Sequence, residues 1–108
     1  MRLKEMQKEV NKVMKLWKIK KGESHTKELV YIHLVEEVGE VARQLVNQGV
    51  RKEQYDPEKF EHDIGDVIVF CTYLASLYGL DVEEIVKKVI KEDNIFLDKV
   101  KKIDLESS

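Results

Sequence analysis

The sequence contains few of the residues that interrupt helices or cross-link chains. One Pro and five Gly occur among 108 residues, and because these residues mark most turns, few loops are expected. The single cysteine, Cys71, excludes an intramolecular disulfide. Since Cys71 lies in an apolar stretch, we expect a small buried side chain in a reducing compartment. A secreted domain held together by disulfides is therefore excluded.

An excess of one charge is also missing, and so is a long apolar run. The chain has 19 basic and 21 acidic side chains, which gives no basic face, so a nucleic acid is not expected as the main partner. The longest apolar stretch, residues 67–77, is about half of what crosses a bilayer. The first residues mix charges instead of forming a signal-peptide core. We expect a cytoplasmic protein with no membrane partner.

Apolar residues recur at intervals of three and four along nearly the whole chain, which is typical of amphipathic helices. The length fits one domain over residues 1–108, with residues 103–108 as a polar tail. The first apolar stripe covers residues 3–17 and ends in the basic segment 18–22. The sequence therefore predicts an all-α domain, and four such helices favour a bundle.

The second helix has a polar start and a glycine near its end. Ser24 or Thr26 can cap its first turn. The apolar pattern continues to about Asn47, after which Gln48-Gly49 is typical of a helix C-terminus. We therefore expect this helix to end before Gln48.

The third and fourth helices carry clearer boundary signals. Asp56 followed by Pro57 predicts a capped start for helix three, and Tyr78-Gly79 predicts its end. Asp81 is then expected to cap helix four, whose apolar stripe continues almost to the polar tail.

Helices two and three are apolar on more than one face. A helix that is apolar nearly all round must be buried on all sides, and one small bundle cannot cover both. We therefore expect a homo-oligomer, a dimer or a dimer of dimers, with helices two and three at its interface.

Two acidic clusters interrupt these apolar faces. Glu37 projects within the apolar stripe of helix two, and Glu37/Glu40 and Asp63/Asp66 are pairs spaced three residues apart. Carboxylates facing packed surface need a counter-charge. No Lys or Arg is expected from the same turns, so a hard cation such as Mg²⁺ or Mn²⁺ is the simplest one. The alternative is that these are ordinary solvated acids on charged helices.

The two clusters read EEVGE and DIGD, and they resemble the EExxE and ExxD motifs of the MazG-type all-α nucleotide pyrophosphohydrolases. Between Glu40 and Asp63 lie 22 residues, enough for the helix end, loop and helix start of the family pattern. The resemblance includes the LVEEVGEV and GDVIVF contexts and covers most of residues 3–100. Two positions depart from the pattern: Asp63 replaces the usual Glu, and Phe70 replaces a frequent Tyr.

This resemblance implies an enzyme that cleaves a nucleoside triphosphate, ribo or deoxy, between the α and β phosphates. The products are a monophosphate and pyrophosphate. By resemblance, Glu37, Glu40, Asp63 and Asp66 hold Mg²⁺, with Mn²⁺ as a second possibility. Glu36 is the candidate catalytic residue that orients or deprotonates the attacking water.

Weaker candidates for contact with the nucleotide substrate lie on helices one to four. Trp17 can stack on a base, although a Trp that closes an amphipathic stripe is more often core. His33 shares the face of Glu37 and can meet phosphate or be a core histidine, whereas His25 and His62 are expected to be solvated. The candidates are Trp17, His33, Tyr73, Lys91, Asp93 and Asn94.

Two other functions remain open. A phosphoribosyl-ATP pyrophosphohydrolase uses similar carboxylates, and the sequence separates the two enzymes poorly. A non-catalytic helical oligomerisation or regulatory module is the alternative from a different class. A carboxylate di-iron bundle is disfavoured, because no Glu-x-x-His occurs in the sequence.

Overall fold

The computed structural model describes residues 2–21 and 25–107, and no strand occurs among them. The predicted all-α fold with four helices is confirmed. The elements in chain order are α1 (Leu3–Lys21), α2 (Lys27–Val50), a short 3₁₀ helix (Lys52–Gln54), α3 (Pro57–Leu77) and α4 (Val82–Ser107).

One of the two candidate caps begins α2. The Thr26 hydroxyl accepts a hydrogen bond from the backbone N–H of Leu29 at 3.2 Å, which satisfies a donor that the first turn leaves unpaired. Ser24, the other candidate, lies outside the described residues. The helix before it, α1, ends at Lys21, inside the predicted basic segment.

The predicted end of α2 was wrong. The helix continues through Gln48-Gly49 to Val50, and the carbonyl of Asn47 accepts a further hydrogen bond from the N–H of Arg51 at 3.0 Å. A glycine ends a helix by adopting a positive φ, and Gly49 does not adopt one. The side chain of Asn47 is buried and donates to the carbonyl of Gln54 at 3.4 Å, so these contacts support one more turn.

Both predicted boundaries of α3 are confirmed. Asp56 Oδ1 accepts from the N–H groups of Glu58 and Lys59 at 3.1 and 3.2 Å, with Pro57 as the first helical residue. At the other end, Gly79 has a φ of 70°, which is the conformation that glycine adopts most easily. Local turn chemistry therefore determines where this helix begins and ends.

Asp81 caps α4 as predicted, and Gln7 of α1 fixes the turn before it. Asp81 Oδ1 accepts from the N–H of Glu84 at 3.3 Å. Gln7 Nε2 donates to the carbonyl of Leu80 at 2.9 Å, and Gln7 Oε1 accepts from the N–H of Val82 at 2.9 Å. We call these two hydrogen bonds the Gln7 clamp. They hold the turn at which α4 departs from α3 at 106°.

The core is small and lies among α1, α2 and α3. Its four buried apolar side chains are Val10, Met14, Val30 and Tyr73. Val30 is the most completely enclosed, with 1% of its surface exposed. The core thus packs α1 against the α2–α3 pair, whose mutual contact is the most extensive between two helices of this structure.

α4 extends away from this core, and much apolar surface stays uncovered in the single chain. The radius of gyration is 18.4 Å, whereas a compact chain of this length has about 13 Å. Phe96 of α4 is 64% exposed, and Val35 on the outer face of α2 is exposed as well. α4 continues to Ser107, so it includes residues 103–107 of the predicted polar tail.

The expectation of a buried Cys71 was wrong, because its thiol-bearing side chain is exposed. In the single chain, no other described element covers the Cys71 side chain. Among residues 2–21 and 25–107, no single helix reaches the length and hydropathy of a membrane span. The bent pair α3 and α4 reaches them jointly, by length and composition only.

Candidate metal centre

The packing of α2 against α3 brings three of the predicted carboxylates together. Glu37 lies on α2, and Asp63 and Asp66 lie three residues apart on α3, so both aspartates face the same neighbour. One carboxylate oxygen from each of these residues lies within 4.8 Å of the other two. The spacing that suggested a shared site in the sequence therefore corresponds to a real cluster, which we call the carboxylate cluster.

Electrostatic repulsion in this cluster is visible at Glu37. The pKa of Glu37 is raised above its ordinary value, first because burial penalises the charged form and then because Asp66 and Asp63 lie nearby. Since folding strengthens proton binding at Glu37, its contribution to the free energy of unfolding falls as the pH rises through the raised pKa. A hard cation held by three carboxylate oxygens would relieve this repulsion, so the donor set fits Mg²⁺ or Mn²⁺.

The expectation that no lysine reaches the acids was wrong. Lys59 Nζ lies 3.1 and 3.0 Å from the two carboxylate oxygens of Asp63 and 3.4 Å from Glu40 Oε2. Lys59 precedes Asp63 by one helical turn, and its long side chain bends forward along α3 to reach it. The signal was present in the sequence as a Lys–Asp pair spaced four residues apart.

Glu40 is thereby drawn toward Lys59 and lies outside the carboxylate cluster. Its role as a metal ligand stays a prediction. Asp63 is 2% exposed, and an unpaired carboxylate at such a position is costly. The hydrogen bond to Asp63 is also the largest cause that raises the pKa of the Lys59 ammonium, so this ion pair keeps Lys59 charged.

A cavity of about 530 Å³ opens beside the carboxylate cluster. One part of its wall is apolar and aromatic, and the rest carries two acids and three histidines. Such a combination suits a small molecule with a flat ring and a charged group. The lining residues are Val13, Met14, Trp17, Val69 and Phe70, together with His25, His33, His62, Glu37 and Asp66.

The histidines of this cavity have different surroundings. The expectation that His25 is solvated was wrong, because its Nδ1 lies 3.1 Å from the hydroxyl of Tyr73 and its ring packs edge-on against that ring. His62 is exposed as expected, with Nε2 3.3 Å from Asp66 Oδ2. His33 Nδ1 lies 3.8 Å from Glu36 Oε1. His25 is therefore tied to Tyr73 of the protein core.

The sequence-family model of the MazG nucleotide pyrophosphohydrolase domain matches residues 25–93, more than half of the chain. The chain belongs to the MazG family. This membership indicates nucleotide pyrophosphohydrolase chemistry in general. No curated protein and no solved structure gives a significant match. The matched segment of this MazG domain contains the whole carboxylate cluster, whereas α1, which supplies Trp17 to the cavity wall, lies before it.

The cavity of the MazG domain includes some of the predicted substrate-binding residues. Trp17 and His33 line it. Trp17 is 47% exposed, so the expectation that its ring belongs to the core was wrong. Phe70, which was noticed in the sequence only as a departure from the family pattern, also lines the cavity. The two aromatic rings give the apolar wall a surface on which a planar group can pack.

The other candidates lie elsewhere among the described residues. Tyr73 is buried in the core and is not part of the cavity lining, and burial raises the pKa of its hydroxyl. Lys91, Asp93 and Asn94 are exposed on α4 and do not line the cavity either. Glu36 is exposed beside His33. Helical periodicity could place these residues on faces, but it could not give the direction in which α4 leaves the core.

Proposed function

We propose that this MazG domain hydrolyses a nucleoside or deoxynucleoside triphosphate between the α and β phosphates, releasing a monophosphate and pyrophosphate. The observation that carries the proposal is the convergence of Glu37, Asp63 and Asp66 beside a cavity with aromatic walls. Acidic oxygens suit metal-bound phosphates, and aromatic rings suit a nucleobase, so one continuous site offers both kinds of contact.

Glu37, Asp63 and Asp66 would hold Mg²⁺, or Mn²⁺ in its place, and Glu40 would join them once it leaves Lys59. A divalent cation there supplies charge neutralisation for phosphate oxygens and a bound water of lowered pKa. The chain keeps this end of the site partly buried, since Asp63 is almost fully enclosed. Partial exclusion of water strengthens each charged contact.

Glu36 is proposed as the residue that orients the attacking water or accepts its proton. It precedes Glu37, is exposed to solvent and faces His33 across 3.8 Å. An exposed carboxylate next to the ligand set can receive a proton and pass it to bulk water. His33 would position the Glu36 carboxylate and lies 5.9 Å, centroid to centroid, from the ring of Phe70, so it links the acidic and aromatic parts of the site.

Trp17 and Phe70 are proposed to pack against the nucleobase, with Val13 and Met14 completing the apolar wall. Aromatic pairs offset or edge-on to a planar ring contribute about 0.5–1.5 kcal/mol beyond the area they bury. The cavity volume of about 530 Å³ falls in the range of ordinary small-molecule sites, which is about 300–1,000 Å³.

We further propose that the single domain of residues 1–108 forms a cytoplasmic homo-oligomer built on a two-fold dimer, through the outer faces of α2 and α3. An apolar groove on that side is lined by Val38, Val41, Ile64, Val67 and Ile68, and such exposed faces mark protein contacts. Sedimentation analysis is expected to show a species of at least two chains. A single-chain species at all concentrations would contradict this assembly.

Product analysis tests the activity. A panel of canonical and modified nucleoside triphosphates is incubated with Mg²⁺, with Mn²⁺ and with EDTA, and the phosphate products are separated. The Glu37→Gln variant should release no pyrophosphate, whereas Glu61→Gln, an exposed acid on α3 outside the cluster, should behave as the wild type.

The same assay distinguishes the alternatives. Turnover of phosphoribosyl-ATP with none of the triphosphate panel would identify the related pyrophosphohydrolase. No metal-dependent turnover of either kind would favour a non-catalytic helical module.

A further inference from the structure

Lys59 is the one basic side chain within hydrogen-bonding distance of Asp63 among the described residues. We propose that its ammonium is an internal counter-ion that occupies Asp63 in the metal-free protein and must leave it for a divalent cation to bind there. Lys59 would then lower the apparent metal affinity of the site. This inference rests on the proposed function, because it concerns how the same site is regulated.

The ammonium engages the most buried member of the carboxylate cluster. Lys59 Nζ lies 3.0 and 3.1 Å from the two oxygens of Asp63, so a single donor group contacts both sides of this carboxylate. A metal bound by Asp63 would share the carboxylate with that ammonium, and two positive charges on one enclosed group repel each other. The two cations therefore compete for Asp63.

The Lys59 ammonium can also move away from Asp63 into solvent. Its side chain is 44% exposed, while the side chain of Asp63 is 4% exposed, so the lysine has a path to solvent that the aspartate lacks. Lysine carries a compact charge on a flexible four-carbon stem and loses little when it returns to water. Glu40, held by the same ammonium at 3.4 Å, would be released in the same movement and become available as a further ligand.

The ion pair has a clear benefit when no metal is bound. Removing the cationic partner of a buried carboxylate leaves the negative charge uncompensated. Without Lys59, Asp63 would have to be neutralised by a proton or by a metal. Lys59 thus stabilises the metal-free fold and at the same time competes with the metal.

The test measures metal binding and stability without using turnover. Mn²⁺ is titrated into EDTA-treated and desalted protein by isothermal calorimetry, and thermal unfolding is followed by circular dichroism with and without Mn²⁺. The variant is Lys59→Met, which keeps the length of the stem. If Lys59 is detached from Asp63 in about a tenth of the wild-type molecules, only that fraction can bind Mn²⁺ without first breaking the ion pair. The variant should then bind Mn²⁺ about tenfold more tightly than the wild type. Its metal-free form should melt at a lower temperature than the wild type.

Two further variants separate charge from structure. Lys87→Met removes a lysine that also pairs with an acid four residues away, Glu83, but on α4, and it should leave Mn²⁺ affinity unchanged. Lys59→Arg keeps the positive charge, so its Mn²⁺ affinity should not exceed that of the wild type. Affinity in Lys59→Met that equals or falls below the wild-type value would overturn the inference.

If Lys59→Met is unfolded in EDTA, recovery of its helical signal during the Mn²⁺ titration becomes the measurement. Refolding at Mn²⁺ concentrations that saturate the wild type supports competition, and failure to refold there overturns it. Tighter Mn²⁺ binding in a protein that hydrolyses no nucleotide would support the role of Lys59 and defeat the proposed function. Metal-dependent turnover with unchanged Mn²⁺ affinity would do the reverse.

Discussion

The α2–α3 pair and α4 all carry apolar residues at helical spacing, yet the structure covers these helices to different extents. The pair encloses Val30 and Asp63 almost completely, whereas every residue of α4 from position 84 to 99 is exposed. An amphipathic pattern shows that one face of a helix will be covered, but it does not identify the covering surface. In the single chain, α2 and α3 cover part of each other's surface, whereas most of α4 stays exposed.

The largest contrast between the two regions should appear in catalysis. Replacing Asp66 by Asn removes a carboxylate from the cluster, and we expect kcat/KM to fall about a thousandfold, as for the loss of one electrostatic contact to a reacting phosphate or acyl group. Stability of the metal-free protein should not fall, because Glu37 loses a repulsive neighbour.

Asp98→Asn on α4 is the matched control and should retain full activity. Steady-state rates and unfolding in EDTA measure both effects. Equal losses from the two aspartates would show that α4 takes part in the chemistry.

Replacing one buried and one exposed valine of α2 compares covered and uncovered surface through the free energy of unfolding. Val30→Ala should lower the free energy of unfolding by about 2–3 kcal/mol, because it leaves a cavity in the core. At protein concentrations too low for assembly, Val35→Ala, at a residue exposed in the single chain, should change the free energy of unfolding by less than about 0.5 kcal/mol. Urea unfolding at several protein concentrations measures both. If Val35→Ala lowers the free energy of unfolding as much as Val30→Ala does, and if this loss grows with protein concentration, a second copy of the chain covers the outer face of α2.

The connection between the two regions depends on the Gln7 clamp. Gln7→Met keeps the volume of the side chain but removes both hydrogen bonds to the turn and a third one that Gln7 Nε2 donates to Ser76 Oγ at 2.8 Å, and we expect a loss of about 1–2 kcal/mol of stability. Gln48→Met, at an exposed position of α2, is the control for the same chemical change. Equal midpoints of urea unfolding for the two variants would show that the clamp contributes nothing to stability.

The smallest effects are expected on α4 itself. Lys91 and Asn94 do not line the cavity, so Lys91→Ala and Asn94→Ala should each change kcat/KM less than about threefold, or under about 0.7 kcal/mol. A rise in KM of tenfold or more would instead restore them as substrate-binding residues. It would also favour an assembly in which a neighbouring copy brings α4 to the site.

Local chemistry made much of the fold predictable. The start of α3 follows from Asp56 and Pro57, whose effects depend only on the next three residues. The end of α2 was missed because Gly49 permits a positive φ but does not require one. The buried polar contacts of Asn47 that extend the helix join segments that periodicity treats separately.

The parts of the candidate site that follow from the spacing of residues along a helix were predictable. The contact that depends on how far a long side chain extends was not. Asp63 and Asp66 share a face of α3 because they are three residues apart, and the packing of α2 against α3 brings Glu37 to them. Lys59 was missed because a helical wheel treats each side chain as a radial vector, whereas a lysine extends along the helix. The environments of Cys71 and Trp17 were missed for another reason: the uncovered side of α3 and the opening of the cavity are tertiary features.

The turn between α3 and α4 has a mechanical consequence. α4 has 26 residues and is therefore about 39 Å long, and it is joined to α3 by the four residues 78–81, which act as a pivot at one end. A rotation of about 10° at that pivot would displace the far end by about 7 Å, more than one helical turn. The two hydrogen bonds of the Gln7 clamp therefore lie at the base of a long lever, and small changes at Gln7 would be amplified at the distant end of α4.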